Sequence, residues 1–388
     1  MKKLFTSWFV AILTIIVTQH ANSQQTAVLK EIELDSKILF QKRPIYVYTP
    51  WEYAERDLVS FDVIYVFDAQ NREFFDLVHA SLNYIFPTRK FIVVGISSPS
   101  YDEIEYYRNS DFLPKPIKVG LEKYQTDNPN AENFWKYFTE EVIPFVNKNH
   151  RTTNVNYLIG HSLSGSFVLD KAIHNSDAFK GFVCISPNLA YDENRLANDF
   201  LQIDYNKPAE NKFLFISQSN EPNTWAKSWG DAYRKVKSFV ENSTESGKYD
   251  IFIRDFPTYN HQSTVIPAVI ESLNLLATFI DKNPYSLNGR SENITLKVTV
   301  SNREDEVYIT GNQESLGNWN PSKVKLKKVS DFERELNLVV KFPIEFKLTK
   351  GNWETEGFTN QTSNLGENIV IDHPKEKTIH LKINAWEQ

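Results

Sequence analysis

A serine sits among small residues in Gly160-His161-Ser162-Leu163-Ser164-Gly165, directly after the apolar run Tyr157-Leu158-Ile159. A serine on a sharp strand-to-helix turn is a nucleophile elbow. The turn lifts the hydroxyl above the sheet, and the helix N-terminus behind it favours developing negative charge. So tight a turn needs glycine two residues before the serine and a small residue two after it. Ser164 stands where the usual pattern has glycine, which bends the rule at that position. The plainer alternative is an ordinary glycine-rich turn.

A serine nucleophile on such a sheet needs an acid and then a histidine, both later in the chain. His174, His261, His373 and His380 follow Ser162. His174 falls in the helix behind the elbow, too near to reach round. His373 and His380 lie in a C-terminal β segment. That leaves His261, in Tyr259-Asn260-His261-Gln262, just beyond the last strand of the preceding region, and open α/β sheets build their sites at strand C-termini. The acid is expected after the strand at 212–217, where Glu221 stands; Asp255 is the alternative and Asp231 a distant third. It would accept the imidazole N–H, fix the tautomer and stabilise the imidazolium. A Ser–His dyad is the remaining option. One oxyanion donor is expected to be the Leu163 N–H. The second comes from Asp68-Ala69-Gln70, either Ala69 or Gln70.

These residues need elements to position them. From about residue 30 to 281 short apolar runs alternate with amphipathic stretches. Runs at 44–48, 62–67, 91–96, 156–159, 181–185, 212–217 and 249–253 read as strands, several buried on both faces. Residues 131–149 carry Phe134, Phe138, Val142, Phe145 and Val146 at helical spacing, and 266–280 reads as a second helix. The alternation predicts an α/β fold with a mostly parallel sheet. Residues 98–129, rich in Tyr, Asp and Pro, break the rhythm as a long insertion, and such loops usually serve function.

Residues 283–293 read as a linker. Beyond them, runs at 294–300, 307–311, 324–326, 335–340 and 344–348 have no helix between them and predict an all-β sandwich over 294–388. The chain's 388 residues suit two domains. Hydrophobic residues make up 41%, aromatic residues 14% and charged residues 24%, which is globular and argues against disorder. The net charge of −6 with no basic run leaves no electrostatic footprint for nucleic acid or anionic lipid. A single cysteine, Cys184, allows neither an internal disulfide nor a cysteine zinc cluster. At the N-terminus, Lys2 and Lys3 precede an apolar stretch at 8–17 and a small-x-small site, Ala21-Asn22-Ser23. This is secretory grammar, so residues 1–23 are expected to be a cleaved signal peptide. The mature protein, 24–282 plus linker and sandwich, is then exported to the periplasm or medium with no stable membrane insertion.

The elbow, Asn260-His261, the extended strand at 43–50 and the turn Tyr65-Val66-Phe67-Asp68 together resemble the esterase D-like esterases of the α/β-hydrolase superfamily. That group includes enterobactin, feruloyl and acetyl-xylan esterases and mycolyl transferases. Residues 107–114 resemble the segment that commonly precedes a substrate-covering insertion in the family. The resemblance spans about 32–281. It implies hydrolysis of a small-molecule or glycan ester through an acyl-enzyme, with no metal or other cofactor. The sandwich resembles the starch-binding domain, carbohydrate-binding module family 20, through Leu316-Gly317-Asn318-Trp319, Glu345-Phe346-Lys347-Leu348 and Gly351-Asn352-Trp353. By matching motif, that resemblance implies a glucan platform from Trp319 and Trp353, helped by Lys347 and Asn360. Phe332 stands near where a second sugar site often has tryptophan. The expectation is thus an exported serine esterase whose appended module binds glycan or braces the enzyme. A siderophore esterase or acyltransferase is the alternative. A glycan-binding protein with an inactive hydrolase domain is a third, of another class.

Overall fold

The computed structural model describes residues 26–87, 89–98, 107–115, 129–202, 212–224, 227–242, 249–283, 291–362, 367–371 and 376–387. The expected leader, most of the 98–129 insertion, most of the linker and His373 lie outside these.

An eight-stranded sheet forms the first body. Its strands are β1 (Val28–Ser36), β2 (Gln41–Thr49), β3 (Phe61–Phe67), β4 (Phe91–Ile96), β5 (Thr152–His161), β6 (Gly181–Ile185), β7 (Lys212–Gln218) and β8 (Tyr249–Asp255). Their order is β1-β2-β4-β3-β5-β6-β7-β8. The β1/β2 and β2/β4 pairs are antiparallel, and every later pair is parallel. This is the α/β-hydrolase arrangement, with a mostly parallel sheet as expected. Strands β3, β4, β6 and β7 are buried at every residue, because helices cover both faces. Along β3, Val63, Tyr65 and Phe67 enter one core with Phe138 and Phe167, while Ile64 and Val66 enter the other with Phe75 and Leu276.

Two elements of this body differ from the sequence reading. Strand β1 pairs with β2 over its whole length, yet its alternation of exposed and half-buried residues makes it an edge with no continuous apolar run. The helix at 131–149 is continuous but holds a π-helical segment, Tyr137–Val142, between Ala131–Lys136 and Ile143–Asn149.

The second body is a sandwich of two sheets. One contains β10 (Tyr308–Gly311), β11 (Val324–Lys325), β14 (Ile344–Thr349) and β16 (Ile369–Ile371) in the order β11-β10-β14-β16. The other contains β9 (Ser291–Thr299), β12 (Lys327–Lys328), β13 (Glu333–Lys341), β15 (Gly357–Thr359) and β17 (Thr378–Trp386) in the order β12-β13-β9-β17-β15. All pairs are antiparallel except β17 with β9. Leu296, Val298, Phe346, Leu348 and Leu381 interdigitate between the sheets.

The sandwich docks on the turn that leads into β3. Arg56 and Glu367 form a buried ion pair, Gln361 donates to Asp57, and the Leu58 N–H donates to Gln361 Oε1 at 2.9 Å. Leu58 packs against the sandwich core. Arg151, just before β5, braces the turn by donating to the carbonyls of Tyr53, Arg56 and Val59. These contacts lie at the N-terminal end of the parallel strands. Ser162 lies at the C-terminal end, one ten-residue strand away, or about 30 Å at the usual rise per residue. Arg56→Met would remove the guanidinium that pairs with the buried Glu367, and about 3 kcal/mol of stability is expected to be lost, read as a drop in denaturant midpoint.

Candidate active site

Ser162 joins β5 to the helix Leu163–His174 with φ 61° and ψ −118°. A left-handed serine costs about 1–2 kcal/mol, and its surroundings hold it there. The Ser162 N–H donates to the Ile185 carbonyl at 2.9 Å, pinning the elbow to β6. A Cβ at position 160 would come within 2.5 Å of the Ser164 backbone, so only glycine fits. Ser164 itself is fully buried. Its hydroxyl accepts from the His161 N–H at 3.0 Å and donates to the His161 carbonyl at 2.9 Å. The side chain that bends the motif thus clamps the peptide before the nucleophile. Ser164→Gly loses both bonds and is expected to lower stability by about 2 kcal/mol, visible as a lowered Tm.

Glu221 follows β7 and is fully buried. His261 Nδ1–H donates to its Oε1 at 2.7 Å, and the Gln218 side-chain amide donates to its Oε2 at 2.7 Å. Burial opposes ionisation of the carboxyl, but hydrogen bonds from His261, Ser219, its own backbone N–H and Gln218 outweigh it and hold Glu221 down to about 2. With Nδ1 carrying the donated proton, Nε2 of His261 is left as the basic nitrogen. Trp229 sets its ring edge-on to the imidazole, 5.6 Å between centroids, and nothing in the sequence pattern flagged it. The Asn260 side-chain carbonyl accepts from the Gln262 and Ser263 N–H groups at 3.0 and 2.8 Å, turning the loop that presents His261. The Asn220 N–H donates to the Tyr259 carbonyl at 3.0 Å and joins the acid and histidine loops.

The other candidates point elsewhere. Asp255 is ion-paired with Lys237 and Asp231 with Arg234, both on the exposed surface. His174 faces Asp170 and Asp199, and His380 is exposed on β17.

His161 precedes Ser162, and the elbow motif alone gives its ring no role. Its Nε2 donates to the backbone carbonyl of His261 at 2.9 Å, and the two rings lie 4.7 Å apart. Burial, then the neighbouring His261, lowers its pKa from 6.5 to about 4. A base whose folded pKa lies below its unfolded value favours folding while neutral. Its contribution is therefore full above about pH 6.5 and is lost as pH falls towards 4. His161→Gln is expected to flatten the loss of Tm between pH 6.5 and 4, a difference of at most about 3 kcal/mol.

The oxyanion candidates separate. The Ala69 N–H donates to the Ile96 carbonyl at 3.1 Å, so it is spent between strands and Ala69 is withdrawn. Gln70 remains. Asp68, at φ 65°, turns the chain towards it. Arg108 grips Asp68 with two bonds of 2.7 and 2.8 Å, and the Gln70 side chain bridges Asp68 to the Ser98 N–H. Leu163 opens the helix behind Ser162. Among the described residues no group of three or more His, Cys, Asp or Glu could hold a metal, and no helix is long and apolar enough to cross a membrane.

In the sandwich, Trp319 and Trp353 are 37% and 43% exposed. Gly317, Asn318 and Trp319 all have positive φ, and the Trp319 N–H donates to the Gly311 carbonyl at 2.9 Å. A tryptophan held at positive φ is strained, and residues in such backbone regions cluster at functional sites. The Thr349 hydroxyl donates to the Pro321 carbonyl at 2.9 Å, tying the Trp319 loop to the strand end that leads to Trp353. Lys347 and Asn360 are engaged internally. The Lys347 ammonium pairs with Glu356 at 2.5 Å, and the Asn360 side chain accepts from the Lys382 N–H at 3.1 Å. Phe332 is exposed on the other sheet's side.

Ferri-bacillibactin esterase BesA of Bacillus subtilis (strain 168) is 24% identical over 108 residues, 26% of this chain and 37% of that protein, so the chain matches little more than a third of its length. An IroE-like serine hydrolase from Shewanella oneidensis superposes with a TM-score of 0.55 at 19% identity, covering 67% of this chain and 82% of that one. The siderophore hydrolase EstA from Aspergillus nidulans gives 0.52 at 14% identity over 71% and 99%. At these identities the likeness shows a shared fold. Residues 291–380 match the starch binding domain family. Residues 36–254, more than half of the chain, match the family described as Putative esterase, and the chain belongs to that family.

Proposed function

We propose that the protein is an exported serine esterase in which Ser162, His261 and Glu221 form the catalytic triad. The observation that carries this is the hydrogen-bonded line from Gln218 through Glu221 to His261, set beside the strained elbow that presents Ser162. His261 Nε2 takes the serine proton as Oγ attacks the ester carbonyl. The Leu163 and Gln70 N–H groups receive the oxyanion. Collapse releases the alcohol, protonated by His261, and water then hydrolyses the acyl-serine by the same steps. The test is turnover of short-chain aryl esters by the wild type and by Ser162→Ala, with folding checked by circular dichroism.

A siderophore-type or other aryl ester is the second reading. It is favoured by the likeness to the ferri-bacillibactin esterase BesA and the siderophore hydrolase EstA. Assaying catecholate trilactone, feruloyl and acetyl-sugar esters side by side decides between them.

The sandwich serves as a glycan anchor in this proposal. Flat exposed rings suit pyranose faces, and the sandwich docks through Arg56 and Glu367 at the N-terminal end of the strands, away from the Ser162 end. Soluble starch is expected to retard the wild type on a native gel and not Trp319→Ala, while leaving turnover of a soluble aryl ester unchanged. Retardation that survives Trp319→Ala and Trp353→Ala together would remove the platform. Export predicts an N-terminus at residue 24 in protein recovered from the periplasm or medium.

A further inference from the structure

We propose that His161 is a positioning residue whose Nε2–H latches the backbone of His261, holding the general base over the nucleophile that follows His161 in the chain. The inference rests on the triad assignment for its catalytic consequence, and on geometry for the latch.

His161 ends β5, and its peptide is clamped on both sides by the Ser164 hydroxyl. The ring therefore projects from a fixed base. A carbonyl can only accept, so the 2.9 Å contact with the His261 carbonyl places the proton on His161 Nε2. The burial that keeps His161 uncharged near neutrality also keeps a second cation away from His261 when that ring takes up a proton.

The loop carrying His261 is otherwise held at its flanks. The Asn260 side chain turns it, and the Asn220 N–H holds Tyr259. Glu221 holds the imidazole at Nδ1. Trp229 flanks the ring, and a fixed point on the His261 backbone adds to these side-chain contacts. The His161 bond supplies that point, and it links the histidine loop to the same residue that sets the elbow. Serine and base are then positioned from one strand end, as transition-state geometry demands.

Two substitutions separate the donor from the ring. Gln places an amide N–H near the reach of Nε2, while Phe keeps the ring and loses the donor. For aryl-ester turnover, His161→Phe is expected to lower kcat about tenfold with KM within twofold of wild type, and His161→Gln to stay within threefold in kcat. Hydrogen–deuterium exchange over 258–264, measured on the same proteins, is expected to rise in the Phe variant and stay at the wild-type level in the Gln variant. Unchanged exchange in His161→Phe overturns the latch whatever the activity. An equal fall in kcat for both variants overturns the donor role. Faster exchange with unchanged kcat keeps the latch and overturns its catalytic consequence, while turnover that survives Ser162→Ala, read separately, marks failure of the triad assignment instead.

Discussion

Ser162→Ala is expected to reduce kcat/KM for a short-chain aryl ester by about 10⁴-fold or more, with KM and Tm near their wild-type values. The loss is large because in the proposed mechanism the hydroxyl oxygen forms the bond and the remaining groups act only through it; removing a serine nucleophile costs about 10⁶ in kcat in a well-studied protease. The fold is expected to tolerate the change at modest cost, since the hydroxyl is not what holds the elbow. That work falls to Gly160, the Ser162 N–H on Ile185 and the Ser164 clamp. Residual turnover equal to that of the wild type would mean another nucleophile. Within this fold the Ser164 and Ser166 hydroxyls are poor replacements, being bonded to backbone carbonyls.

Glu221→Gln is expected to lower kcat/KM by about 10³–10⁴, the scale seen when a triad carboxylate becomes an amide. The shape is kept, but the charge facing His261 is lost and the amide can present N–H where Nδ1–H needs an acceptor. Asp255→Asn, by contrast, is expected to stay within about twofold of wild type, because Asp255 is spent on Lys237 at the surface. The glutamate also leaves a signature in stability. Its folded pKa of about 2 lies below the ordinary 4.5, so its contribution is full above about pH 4.5 and is lost as pH falls towards 2. The Tm difference between wild type and Glu221→Gln is therefore expected to shrink over that range. A difference independent of pH would contradict the bonded, ionised carboxylate.

Some of this site was legible in the residues because chemistry constrains their types. The elbow requires Gly160 for a steric reason that survives any sequence context, and Glu221 and His261 were picked from where strands β7 and β8 end, two side chains that the fold joins by a hydrogen bond. The central strands were legible because burial on both faces turns them into unbroken apolar runs. Strand β1 was missed for the opposite reason: an edge strand shows only alternation, broken by Lys30, Glu31 and Glu33. The short strands β15 and β16 have three residues each, too few for a period to register. Ala69 and Gln70 could not be told apart because a backbone N–H leaves no trace in residue type; only the sheet reveals which one is spent. The same blindness hid His161, whose partner is a carbonyl a hundred residues away. Trp229 reaches His261 from a helix whose pattern says only that it is amphipathic. Lys347 and Asn360 carry the opposite lesson. Their types suit sugar binding, yet the fold uses both for its own bonds.

The placement of the sandwich was beyond the sequence altogether. Arg56, Asp57, Gln361 and Glu367 are ordinary surface types, and only the fold buries the first and last of them against each other. Their position at the N-terminal rim of the sheet sets the docking contacts apart from Ser162 by about the length of β5.

Covalent labelling with a fluorophosphonate, located by peptide mass spectrometry, tests the reactivity of the elbow serine most directly. A single adduct on Ser162, absent in Ser162→Ala and slowed at least a hundredfold in His261→Ala, is the expected result. An enzyme that turns over aryl esters while Ser162 stays unlabelled, or that labels as fast without His261, would contradict it.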